Sequence, residues 1–127
     1  MDRPIRVLVA NRPKLMRELI IETFVDQPDI TVVGEVTEET QIADRVQETN
    51  PDFLIIALDD ARERPAICDE VLRMHPEVGV IAVAVHSNET VRYWASFSIH
   101  ASVMESSEEA ILGAIRNNRA LARKTLS

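Results

Sequence analysis

Two stretches of this chain, Phe53–Leu58 (FLIIAL) and Val80–Val85 (VIAVAV), are apolar at every position. Side chains alternate between the two faces of a strand, so a strand with no polar position has to be covered on both faces. That is the situation of central strands in a parallel sheet, whose crossover helices lie on both sides. The rest of the chain supplies such helices. Ile5–Ala10 is a short β-branched run, and Pro13 after it suits a first helical turn, where a missing N–H costs nothing. Leu15, Met16, Leu19, Ile20 and Phe24 recur at helical spacing until Pro28. Ile30–Val33 reads as a second strand closed by Gly34, and Ile42, Ala43 and Val46 as a second helix ending before Asn50-Pro51.

The second half continues the rhythm. Ile67, Val71, Leu72 and Met74 mark a third helix that stops at His75-Pro76. After the Val80–Val85 strand, Ser87 or Asn88 caps an expected fourth helix carrying Val91, Trp94 and Ala95, and Ala101–Met104 is an expected fifth strand. Ser106 and Glu109 read as a capping box for a last helix through Ile111, Leu112, Ile115 and Leu121. Five strand–helix units with short connections predict one α/β domain over residues 1–127, a parallel sheet with five helices on its two faces. Function in such sheets gathers at the carboxyl ends of the strands, here residues 10–14, 57–65, 84–88 and 104–106.

Composition narrows the function. The 127 residues carry 14 Lys+Arg against 21 Asp+Glu, a net charge of −7, which opposes binding of nucleic acid or an anionic membrane by general charge. No apolar run is long enough to span a bilayer, and residues 1–20 lack the pattern of a signal peptide. The single cysteine, Cys68, suits a reducing, cytoplasmic setting. Walker and dinucleotide fingerprints are absent, and His75, His86 and His100 have no partners at metal-ligand spacing. No cofactor is expected.

In order and interval, IRVLVANRPKLMRELI, PDITVVGEV, NPDFLIIAL, HPEVGVIAVAV and SSEEAILGAIR resemble the receiver domains of bacterial two-component response regulators, from Ile5 to about Arg119. The phrases PDITVVGE and HPEVGVIAV are most similar to regulators that carry a C-terminal helix-turn-helix, so the domain is expected as the N-terminal part of a transcriptional regulator or as a single-domain protein. The resemblance implies a flavodoxin-like sheet with strand order 2-1-3-4-5. An antiparallel pair among those five strands would overturn that register.

At the family's working positions this chain departs from the pattern. The phosphoacceptor aspartate ending strand three corresponds to Ala57. The acidic pair that holds Mg²⁺ corresponds to Asn11 and Arg12, the Ser or Thr ending strand four to Ala84, and the lysine ending strand five to Met104. A site with three carboxylates and one lysine is net negative; this one is net positive through Arg12. Mg²⁺ takes oxygen ligands, commonly carboxylates, and phosphoryl transfer depends on positioning and charge neutralisation. Asp59 and Asp60 lie two and three residues beyond Ala57, displaced by about 6–7 Å or more along an extended chain, and are expected as loop acids or as partners of Arg12 rather than displaced acceptors. The loops Arg62-Glu63-Arg64-Pro65 and Ser96-Phe97-Ser98-Ile99 lack the family's glycines and are expected to be reshaped.

The sequence therefore predicts a non-enzymatic pseudo-receiver without Mg²⁺, a phosphorylation-independent module that acts through a protein partner or a homodimer. The expected surface is the face formed by the fourth helix, fifth strand and fifth helix, anchored by Tyr93 or Trp94 and rimmed by Arg116 and Arg119. The alternative is a small-molecule sensor that uses the degenerate crevice, where Arg12, Lys14 and His86 would frame an anion at the first helix.

Overall fold

The computed structural model describes residues 3–60, 62–96 and 98–116. Six strands are formed: β1 (Ile5–Ala10), β2 (Ile30–Glu35), β3 (Phe53–Leu58), β4 (Gly79–Ala84), β5 (Glu89–Ala95) and β6 (Ile99–Glu105). The helices are α1 (Lys14–Val25), α2 (Ile42–Thr49), α3 (Ala66–Met74) and α4, over 108–116, with a 3-10 turn at Glu39–Gln41. The sheet order is β2-β1-β3-β4-β5-β6. Pairings among β2, β1, β3 and β4 are parallel. Those of β4 with β5 and of β5 with β6 are antiparallel.

The two all-apolar runs are the central strands, and every residue of β3 and β4 is buried. One face of the sheet packs Leu54, Ile56, Val80 and Ala82 against Val46 of α2 and Val71 and Leu72 of α3. The opposite face packs Val7, Val9, Ile55 and Ile81 against Ile20 and Phe24 of α1 and Ile111 and Ile115 of α4. Ser107, not Ser106, caps α4: its Oγ accepts the Ala110 N–H at 3.0 Å, while the Ser106 hydroxyl bonds Thr90.

The expected sheet fails as well as the Ser106 cap. The sheet is not five parallel strands with five helices, because the segment expected as the fourth helix is strand β5. Its residues carry two overlapping periods. Val91, Trp94 and Ala95 suit a helix, but Val91, Tyr93 and Ala95 recur every second residue, and Thr, Val, Tyr and Trp favour a pleated surface over a helix. Connection length agrees: only four residues separate β4 from β5 and three separate β5 from β6. A parallel return needs a dozen or more residues, whereas a hairpin needs two to five. The fifth strand of the sequence reading becomes the sheet edge, β6.

The rotation of α1, which the helical spacing of its apolar residues leaves open, is fixed here. Its buried residues are Arg17, Ile20 and Phe24, while Leu15 is 66% and Leu19 51% exposed. Gly79 lets β4 approach Phe53 closely, since a Cβ there would lie 2.6 Å from the ring. That ring is 3% exposed and hemmed in by the core. Gly79→Ala is expected to destabilise the fold by about 1–3 kcal/mol in urea titrations, through overpacking.

Candidate functional site

The carboxyl ends of β1 and β3 enclose a cavity of about 30 Å³, lined by Asn11, Arg12, Thr37, Glu39, Ile42, Ala57 and neighbouring backbone. That is room for roughly one water molecule. Asn11 follows β1 directly and is 1% exposed. Its Nδ2 donates to the Ile56 carbonyl at 2.9 Å, which ties the end of β1 to β3. Its Oδ1 is buried and has no hydrogen-bond partner among the described residues. Arg12 reaches outward and donates to Asp59 through its two terminal guanidinium nitrogens, Nη1 and Nη2, at 3.1 and 2.8 Å. The hydrogen bonds from Arg12 hold the Asp59 carboxyl below the usual carboxylate range, and the same pair raises the pKa of Arg12. Asp60 turns away from the crevice, its Oδ1 accepting the Arg62 N–H at 2.9 Å.

Arg17 was missing from the sequence reading. It is 8% exposed, donates to the Asn11 carbonyl at 3.2 Å and pairs with Glu35 at the end of β2. It therefore ties the ends of β1 and β2 together beneath the crevice. The signal was its place three residues before Ile20 and seven before Phe24, on the buried stripe of α1. An apolar count along the helix passes over an arginine at such a position.

The remaining positions do not assemble around this crevice. Ala84 is 7% exposed and lines a different, open hollow of about 300 Å³ between α1 and the start of α4, with Met16, Leu19 and Ser106. Met104, on β6, pairs with Thr90 of β5, and β5 separates it from β4, so it lies roughly 10 Å from that strand rather than beside it. The sequence reading placed it next to Ala84; the inserted strand removes it.

The expected interaction surface also comes apart. Tyr93 and Trp94 are consecutive residues of a strand and point to opposite faces. Tyr93 is 3% exposed in the core beside α3, and burial raises the pKa of its hydroxyl. Trp94 lies half-buried on the other face, with the Arg92 guanidinium over its ring at 4.6 Å and the His100 ring stacked on it at 5.3 Å between centroids. Arg116 binds Asp29 at 2.9 and 2.8 Å and Gln27 at 3.0 Å, at the amino end of the sheet. Arg119 lies outside the described residues. Burial pushes the Cys68 thiol up to about 12, which makes it a packed residue and not a nucleophile. Among the described residues no three His, Cys, Asp or Glu side chains gather at metal-binding distance.

No protein-family model matches the chain, and no curated protein matches it. Solved structures do. The response regulator domain of Thermotoga maritima CheB aligns at a TM-score of 0.54 and 24% identity, over 65% of this chain and 61% of that one. The signal receiver domain of the response regulator NarL from Mycobacterium tuberculosis aligns at 0.57 and 18% identity, over 68% and 70%. At these identities the likeness is one of fold. The chain has a receiver-like α/β fold, with a mixed sheet of six strands and four helices among the described residues.

The two arginines at the crevice differ in exposure, and their removal is expected to differ accordingly. Arg12→Ala breaks an exposed pair, whose side chains are 52% and 70% accessible, and is expected to change the unfolding free energy by no more than about 1 kcal/mol. Arg17→Ala strips a buried carbonyl of its partner and is expected to cost about 1–3 kcal/mol. Urea denaturation of the two variants checks the contrast.

Proposed function

We propose that this domain is a phosphorylation-independent signalling module of receiver fold, whose output is set by protein contact. The observation that carries the reading is the Arg12–Asp59 pair at the mouth of the crevice whose floor includes Ala57. Where receivers place a carboxylate cluster, this chain offers a methyl group, one neutral amide oxygen, the single carboxylate of Glu39 and a guanidinium already committed to a loop acid. The residues present do not fit Mg²⁺, which takes mainly carboxylate, carbonyl and water oxygens and is repelled by a fixed cation. Phosphoryl transfer rests on positioning and charge neutralisation, and these side chains supply neither.

The open hollow beside Ala84, about 300 Å³, reaches only the lower limit of ligand pockets, and the crevice at Asn11 and Ala57 is far smaller, which favours an interaction module over a sensor that uses that crevice. Ligand pockets run to about 300–1,000 Å³. The crevice is about a tenth of the lower figure. The fold it shares with two response regulator domains supports a role in signalling, and the resemblance to helix-turn-helix regulators supports a place in a transcriptional regulator. Cys68 as the single cysteine supports a cytoplasmic setting. No helix among the described residues is long and apolar enough to cross a membrane.

Intact-mass spectrometry after incubation with millimolar Mg²⁺ and acetyl phosphate is expected to find the protein unmodified; a stoichiometric aspartyl phosphate would refute the reading. Ala57→Asp alone is expected to stay unphosphorylated, because the new carboxylate meets Arg12 in place of a metal. Modification is expected only once Asn11 and Arg12 are also made acidic. Robust labelling of the single variant would show that the positive charge at Arg12 is not the obstacle.

A further inference from the structure

The sheet ends on β6, and among the described residues no strand covers its outer edge. The backbone bonds at the two ends of the β5–β6 hairpin reveal which groups point outward. Ser106 N–H bonds the Asn88 carbonyl at 3.1 Å, and Ser96 N–H bonds the Ser98 carbonyl at 2.9 Å. Hydrogen-bonded pairs recur every second residue in an antiparallel ladder, so Trp94–His100, Arg92–Ser102 and Thr90–Met104 are the bonded pairs between them. The N–H and C=O groups of Ile99, Ala101, Val103 and Glu105 therefore point away from β5. Most of β6 is exposed, Val103 by 62%.

Natural edge strands are blunted by lysine, proline, bulges or inward charges. β6 contains no Lys, Arg or Pro, its register with β5 is unbroken, and its acid stands at the last position. We propose that this edge pairs with β6 of a second copy of the chain, antiparallel about a twofold axis at Ser102. The proposal rests on the reading above that the domain acts by contact, and it names the contact.

The edge is complementary to itself. In the register centred on Ser102, all seven residues pair and the outward groups meet outward groups: Ile99 with Glu105 of the second copy, and Ala101 with Val103 of the second copy. On the face shared with Val91 and Tyr93, each Val103 then covers the opposing Ala101 and extends the buried apolar row across the seam. The two Glu105 carboxylates stand opposite Ile99 side chains, roughly 20 Å apart, so like charges do not meet across a net-acidic pair. Two Ser102 residues face each other as a non-bonded pair, with Cα atoms about 4.5 Å apart. A twofold interface requires this self-matching, whereas an unrelated partner strand does not.

The test is sedimentation equilibrium of the full chain and three variants. The wild type is expected to dimerise with a micromolar dissociation constant. Ala101→Pro removes an outward N–H while leaving the β5 ladder intact, and Val103→Lys places a charge at the seam with no change to the backbone. Each is expected to weaken the dimer about tenfold or more, with unchanged circular dichroism. Ser102→Cys is expected to give a disulfide-linked dimer on mild oxidation, since Cys68 is buried and does not compete. A wild type still monomeric near about 1 mM, a dimer indifferent to Val103→Lys, or a dimer in which Ser102→Cys does not cross-link would overturn the proposal. None of these outcomes bears on phosphoryl transfer, so the reading of the crevice stands or falls separately.

Discussion

Burying β3 and β4 on both faces is the constraint from which the rest of the structure follows. A strand of Phe, Leu, Ile, Val and Ala with no polar position has no face to offer water, and each buried aliphatic side chain contributes on the order of 1.5–3 kcal/mol when covered. Covering both faces requires two helical layers. Two helical layers require crossovers, and crossovers make β2, β1, β3 and β4 parallel. The clusters on the two sides of the sheet are thus the same strands seen from opposite faces. Parallel strands also end together, which is why Asn11, Arg12, Ala57 and Asp59 share one crevice although they lie far apart in sequence.

At that crevice, hydrogen bonding does more than charge. Asn11 gives its amide to the Ile56 carbonyl, and Arg17 gives its guanidinium to the Asn11 carbonyl and to Glu35. These bonds close the ends of three neighbouring strands from inside, at groups that would be costly to leave unpaired. Arg12 and Asp59 lie outside them, in water, where an ion pair adds little stability and mainly sets the charge at the opening. The inner bonds hold the rim, and the outer pair sets what can approach it. Together they leave a small hollow whose mouth is closed by an ion pair.

The far side of the sheet obeys a different limit. After β4 the chain has four residues before the next element, too few to cross back over the sheet. It turns instead into a hairpin, and the sheet gains an edge. Val91 and Tyr93 complete the core beside α3, while Arg92, Trp94 and His100 stack on the opposite face, clear of that core. The aromatic pair adjacent in sequence is thereby divided between interior and surface. The segment beyond β4 thus ends the sheet on a strand and not on a helical face, with peptide groups of β6 turned outward.

From the sequence alone, the continuous apolar runs, the proline stops and the helical repeats determined the four parallel strands and the first three helices, because each depends on local periodicity and burial, while the order of those strands came only from the family resemblance. Asn11, Arg12 and Ala57 were legible as a crevice, since strand ends in a parallel sheet converge whatever the loops do. The state of residues 89–95 was decided only in the tertiary structure. Their apolar residues fit both a period of 3.6 and a period of two, and the choice rested on whether the preceding loop could return the chain in parallel. The inward turn of Arg17 was decided there too, because an arginine is buried only where carbonyl and carboxylate partners from other strands await it. Those partners, the Asn11 carbonyl and Glu35, come together only when β1 and β2 pair.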